Sequence, residues 1–451
     1  MKRRQFMKAV AVTSSAAVIS AGLGVAPTVL TSQSAQATSS SGRNKLIFVS
    51  DIHMNVDAPY SWFSSHAKYL AAFLESINNR TDVAELIIIG DLLDDWVSPV
   101  ESASSNFSAI LAASTNQSSI QALQAICNNP NIKVTYLTGN HDLLSFELQN
   151  KATIQATFPN MSIISDSPGL GAYSKDNVIW AEHGHRYTLF NAPDTWSRSG
   201  GYLPLGYFIS RLAASASIKN NRIITTPELL DEFIKKPTSE LNGLLEKQGR
   251  HTKHLSELNG LLEKQGWHTK HLKSKADKGT FDDAFILLVY SAIAAYSGYL
   301  PWNTYAMNGL DGFTTNPSVI QIGATYDHIL SGWDSRQDIV GSLNAILDDI
   351  GSLGSAANLL FEMPTYIKSK YPFTPRIILF GHTHEAVFQY QSSSWDTIYI
   401  NTGTWIDSKE LMTWAEIECV YGQSGNDVYT ASLWAYGENS PRFSGSIQIP
   451  I

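Results

Sequence analysis

Cysteine is almost absent. Cys127 and Cys419 are the two in 451 residues, which excludes a thiolate metal cluster and a disulfide-stapled scaffold. Their wide separation carries no information about whether they pair. Charged residues are also scarce, at 16% against 43% hydrophobic, which excludes a self-repelling disordered chain and implies a substantial buried core. Basic residues are outnumbered 32 to 40, leaving a net charge of −8 and arguing against a nucleic-acid polymer as main partner. A clear membrane span is missing as well. The stretch Ala284 to Leu310 has no charge, but its apolar core, 284–300, is only 17 residues and is interrupted by Ser291, Ser297 and Gly298. We read it as a buried helix, with contact to a membrane surface or a lipid substrate, or a true span, as the alternatives.

What is present begins with an export signal. MKRRQFMK places Arg3-Arg4 ahead of an apolar run diluted by Ser, Thr, Gly and Pro, and Ala35 and Ala37 form a small-x-small cleavage pattern. The pattern resembles the twin-arginine type, so residues 1–37 are expected to leave through that machinery for the periplasm or the extracellular space. Residues 1–37 hold four basic residues and no acid, so cleavage takes the net charge from −8 to −12.

Beyond a Ser-rich linker, short apolar runs end repeatedly in polar clusters. KLIFVS leads into Asp51-Ile52-His53, ELIII into Gly90-Asp91, KVTYL into Gly139-Asn140-His141-Asp142, VIWAE into His183-Gly184-His185, RIILF into Gly381-His382-Thr383-His384, and IYI into Asn401-Thr402-Gly403-Thr404. Helical periodicity between several of them, as in HAKYLAAFLESINN, predicts an α/β layered fold whose chemistry collects at strand ends. The rhythm breaks in the middle of the chain. Residues 187–375 read as a mostly helical insertion between a first core part, 43–186, and a second, 376–451. The insertion holds a tandem repeat at 239–272, whose 17-residue copies differ only at Arg250 against Trp267. Two copies are too few for a solenoid, so we read a recent duplication with a solvated, basic face.

The strand-end clusters carry the functional signal. Asp51, His53, Asp91, Asn140, His183, His382 and His384 are four imidazoles, two carboxylates and one amide. Nitrogen and oxygen donors without thiolate suit Mn, Fe or Zn. They are too many for one tetrahedral ion, but two ions sharing Asp91 would use all of them. Two cations about 3.5–4 Å apart clamp a phosphoryl group and acidify a bridging water into a nucleophile. The one-residue gaps in Asp51-Ile52-His53 and His382-Thr383-His384 place both members on one side of an extended segment, so His382 and His384 can each face a different ion.

DIH, GDLLD, GNHD, HGH and GHTH, in this order, resemble the five blocks of the calcineurin-like metallophosphoesterases. The resemblance implies two mixed sheets packed face to face in a four-layer α-β-β-α sandwich, with the 187–375 insertion as a cap. It implies Asp51, His53, Asp91 and His384 around one metal and Asp91, Asn140, His183 and His382 around the other. It further implies His141 as general acid to the leaving alkoxide, Asp94 as the carboxylate that orients it, and Asp142 and His185 as supports. The expected activity is hydrolysis of a small-molecule phosphate mono- or diester. Asp95 stands where the phosphoprotein phosphatases carry a phosphate-gripping arginine. GDLLDDW, with Trp96, is similar to the bacterial UDP-diacylglucosamine pyrophosphohydrolases, but His141 replaces their usual arginine and they act inside the cell. A pyrophosphohydrolase and a non-catalytic binding protein are the alternatives.

Overall fold

The first strand shows how the layers are made. β1 (Lys45–Val49) reads KLIFV, and period-two alternation divides it between two cores. Ile47 and Val49 join helix residues, whereas Leu46 and Phe48 join residues of a second sheet. Because both faces are covered, the strand is a continuous apolar run, as buried parallel strands are.

A computed structural model describes residues 42–99, 102, 104–165, 171–188, 191, 205–224, 357, 375–392, 396–406 and 412–451. The first sheet contains β1, β2 (Val83–Ile89), β3 (Lys133–Leu137), β4 (Met161–Ile164), β10 (Thr413–Gln423), β11 (Asn426–Ala435) and β12 (Phe443–Pro450), in the order β12-β11-β10-β1-β2-β3-β4. Strands β1 to β4 are parallel, and β10 to β12 add an antiparallel meander to the edge of β1. The second sheet runs β5-β6-β7-β9-β8, from β5 (Tyr173–Lys175), β6 (Ile179–Ala181), β7 (Ile377–Phe380), β8 (Ala386–Gln391) and β9 (Thr397–Thr402). Its β6, β7 and β9 are parallel, and its two outer strands are antiparallel. The fold is therefore an α/β sandwich of two mixed sheets.

Between the sheets lie Leu46, Phe48, Ile87, Ile89 and Leu137 from one side and Ile179, Ile377, Leu379, Ile398 and Ile400 from the other. The outer face of the first sheet is covered by α1 (Ala67–Asn78) and α3 (Gln117–Cys127). Helix α1 buries Ala67, Leu70, Ala71, Phe73, Leu74 and Ile77, the stripe expected of an amphipathic surface helix. Between these helices, α2 (Phe107–Ala112) starts at Asn106, whose side chain accepts the Ala109 N–H at 2.8 Å. Helix α4 (Leu148–Thr157) follows β3. Cys127 lies in the core beneath α3 and Cys419 lies between the sheets, both unpaired. Burial pushes both thiols up to about 12, so neither is reactive.

Of the 187–375 insertion, residues 187, 188, 191, 205–224, 357 and 375 are described, and they include helix α5 (Leu205–Asn220). The 1–37 leader, the 239–272 repeat and the 284–300 run lie outside the described residues, as does most of the expected cap. Among the described residues no helix is long and apolar enough to cross a membrane.

Candidate metal centre

The parallel strands end at the same edge of the sandwich, and the polar clusters sit there, after every one of them but β4. The structure brings all seven candidate ligands into one buried crevice. His384 Nε2 lies 3.0 Å from His53 Nε2 and 3.3 Å from Asp51 Oδ1. His183 Nε2 lies 3.1 Å from Asp91 Oδ2 and 2.9 Å from Asn140 Oδ1, and His382 Nδ1 lies 2.9 Å from the same Asn140 oxygen. His382 and His384 thus face different parts of the crevice, one towards Asn140 and the other towards Asp51.

They reach those places by a route other than an extended segment. Asp51, His53, Asp91, His382 and His384 all have φ between 53° and 72°, in the left-handed region. A non-glycine residue held there costs roughly 1–3 kcal/mol and persists where its surroundings impose it. The i, i+2 convergence expected from a flat strand is therefore produced by bends beyond the ends of β1 and β7, where Asp and His are better tolerated than most residues.

The glycine before Asp91 and the one before Asn140 have a packing cause. Gly90 has φ +89°, and a Cβ there would sit 2.5 Å from His183 Nδ1. At Gly139 a Cβ would sit 2.1 Å from Asp91 Oδ1 and 2.5 Å from the Asp91 nitrogen. No side chain fits between these approaching strand ends.

Proton positions follow from the partners. His53 Nδ1 is 3.0 Å from Asp94 Oδ2, which accepts, so Nε2 carries the lone pair. His183 Nδ1–H donates to the Ile89 carbonyl at 2.8 Å, so its Nε2 offers a lone pair when the ring is neutral. Both nitrogens point at Asp91 Oδ2, from 3.6 and 3.1 Å. That oxygen is buried and has no hydrogen-bond partner, although Oδ1 of the same carboxylate accepts the His141 N–H at 2.8 Å. Acceptors facing acceptors in a dry crevice need a cation or protons between them. The residues therefore fit divalent metal, and Asp51–His53–His384 and Asp51–Asp91–His183 each bring their ligand atoms within 4.8 Å of one another.

The electrostatics agree. Burial opposes ionisation of Asp51 and Asp91, yet the facing imidazoles hold both carboxyls below their usual range, Asp91 well below it. Burial disfavours charge on His183, but Asp91 and Asp51 raise it to about 9. A ligating imidazole must shed that proton. Metal affinity should therefore rise as pH increases towards 9, by up to about tenfold per unit, with a proton released on uptake. Calorimetric titration in buffers of different ionisation enthalpy measures that release, and affinity independent of pH from 6 to 9 would remove His183 from the ligand set.

Around the ligands stands a second ring of contacts. Asp94, expected to orient His141 alone, serves two histidines. Its Oδ2 accepts from His53, while its Oδ1 lies 2.9 Å from His141 Nδ1 and accepts the Trp96 and Val97 N–H groups at 3.0 and 2.9 Å. The His141 contact is not aligned as a hydrogen bond, so charge attraction dominates it. Burial works against the His141 imidazolium, but Asp94 and Asp91 raise it to about 9. Asp142 ties two strand-end loops together, its Oδ1 accepting from Gly139 N at 2.6 Å and its Oδ2 from Leu92 N at 2.8 Å and from the Tyr136 hydroxyl. The His185 ring lies against that of His183, centroids 5.4 Å apart. Asp95 is buried, and burial with Asp94 and Asp142 nearby holds its carboxyl well above the ordinary range.

Some contributors were given no role at the site by sequence. Trp96 lies 4.6 Å from the His141 ring and Trp62 lies 5.7 Å from it, walling the imidazole from water. Ser50 bridges the Asp51 carboxylate and Thr402. Asn401 donates to the Gly381 carbonyl at 2.6 Å and Thr404 to the Asp51 carbonyl at 3.1 Å. The sixth polar cluster, NTGT, signalled its place at a strand end but not this role. From α5, the buried Arg211 donates to the carbonyls of Pro99 and Ser102, pinning the loop that carries Asp94 and Trp96.

No curated protein matches the chain. A solved structure described as the Pseudomonas putida nuclease MPE is similar at 18% identity, over 31% of this chain and 54% of that one, with a TM-score of 0.20. The FGHTHE block lies outside the segment that a family model matches, yet the fold delivers it to the same crevice as the earlier blocks. That segment, residues 45–245, matches the model described as Calcineurin-like phosphoesterase.

Proposed function

We propose that this chain is an exported, dinuclear metal-dependent phosphoesterase acting on a small-molecule phosphate mono- or diester. One observation carries the reading: the Asp91 carboxylate oxygen that lacks a donor and is faced by the lone-pair nitrogens of His53 and His183. Asp51, His53, Asp91 and His384 would hold one ion, and Asp91, Asn140, His183 and His382 the other. When bound, such ions supply Lewis-acid polarisation of a phosphoryl oxygen and acidify water at neutral pH.

The chain's own residues do the rest. Asp94 attracts the His141 imidazolium through Nδ1, which leaves Nε2–H to protonate a departing alkoxide. Trp62 and Trp96 keep bulk water from that proton, and the low local dielectric strengthens the Asp94–His141 attraction. Asp142 keeps the Asp91 and Asn140 loops in register. Export through the twin-arginine route is part of the proposal, supported by Arg3-Arg4 and the 1–37 leader. That route carries folded proteins, which suits a chain that takes up its metals before leaving the cytoplasm.

Metal content measured alongside turnover tests the reading. Protein freed of metal by chelation should not hydrolyse bis-p-nitrophenyl phosphate, and Mn, Fe or Zn should restore turnover. A parallel panel of phosphomonoesters and nucleotide pyrophosphates assigns the ester class. Two bound ions with no hydrolysis of any substrate would support the binding-protein alternative instead.

A further inference from the structure

We propose that Thr188 is a positioning residue that fixes the metal-binding tautomer of His382, so that one of the two cation sites depends on a single hydroxyl. The inference rests on the metal-centre reading above. Thr188 follows the short turn His185–Tyr187 and is fully buried. Its Oγ1 donates to the His185 carbonyl at 3.0 Å. A hydroxyl has one proton, so towards His382 Nε2, at 2.9 Å, Thr188 acts as the acceptor. The ring proton then sits on Nε2. Nδ1, at 2.9 Å from Asn140 Oδ1, keeps its lone pair.

The two tautomers have opposite consequences. With the proton on Nε2, His382 Nδ1 and Asn140 Oδ1 present two lone pairs to one point, which a cation satisfies. With the proton on Nδ1, the ring donates to Asn140 and both atoms are lost to the metal. His53 and His183 are locked by a carboxylate and a carbonyl, which only accept. His382 Nε2 instead lies beside the Thr188 hydroxyl and the Asn191 amide, each of which can donate or accept. The Asn191 amide nitrogen lies 3.2 Å from the same Nε2, an orientation that favours the wrong tautomer; turned over, its oxygen would accept the Nε2 proton beside Thr188. Thr188 decides the matter because its own proton is already committed to His185.

The test is titration of the metal-free full chain with Mn2+. Thr188→Val should weaken one of two sites by about 10–100-fold and leave the other within about threefold, while Thr188→Ser binds as wild type. A valine variant that binds both ions as tightly as wild type, or loses both equally, overturns the role. A second readout needs no variant: nitrogen NMR of the Zn2+-loaded wild type should place the His382 proton on Nε2, and a proton on Nδ1 overturns the role. A wild type that takes up no cation overturns the metal-centre reading itself.

Discussion

Asp91→Asn abolishes metal binding and lowers turnover by about 10³-fold or more, while the protein stays folded. The geometry gives the reason. Oδ1 must go on accepting the His141 N–H at 2.8 Å, so the asparagine oxygen takes that place and its amide nitrogen takes the place of Oδ2. Two N–H donors then face the lone pairs of His183 Nε2 and His53 Nε2, at the positions now 3.1 and 3.6 Å from the carboxylate. They fill the gap with hydrogen bonds where a cation would sit. Metal-derived transition-state stabilisation is worth several kcal/mol, and each 1.36 kcal/mol is a decade in rate, so about 4 kcal/mol corresponds to the stated loss. Elemental analysis, steady-state turnover and a thermal melt on the same preparation check the three parts. Retained metal with turnover within tenfold of wild type would show that Asp91 is not shared between the ions.

His141→Ala is the complementary experiment, because it should leave metal content unchanged and still slow turnover by roughly 10²–10⁴-fold. The loss should depend on the leaving group: full for an alkyl ester, whose alkoxide must be protonated, and smaller for p-nitrophenoxide. The pH profile carries the sign. Burial opposes charge on His141, whereas Asp94 and Asp91 raise its pKa from 6.5 to about 9, so the acid form is present below that value and activity falls as pH rises through it. Bound cations repel the imidazolium and draw the alkaline limb below 9, and Asp94→Asn should lower it further, by at least about one unit. An alanine variant with the same rate on an alkyl diester as wild type would remove His141 from the chemistry.

The donor set was legible because each donor is tied to a local pattern. An apolar run of strand length followed after one or two residues by Asp, Asn or His, with a glycine just before Asp91, Asn140 and His382, can be read in a window of ten residues, and Asp51, Asp91, Asn140, His183 and His382 were all found in that way. The sheet pattern was legible for the same reason, since KLIFV and ELIII are too apolar for a strand with one wet face. Cysteine pairing was not legible, and the structure places the two thiols in separate cores.

Sequence alone determined which atoms could bind a cation and that they lie at strand ends, because side-chain chemistry and period-two burial are properties of short segments. Tertiary structure decided how those atoms are aimed. The left-handed bends at Asp51 and His382, the sharing of Asp94 between His53 and His141, and the hydroxyl of Thr188 behind His382 all depend on segments up to 331 residues apart meeting in one crevice. No local pattern encodes such a meeting; it is set by which strand ends the two packed sheets bring to a common edge, and by how little room glycine leaves between them.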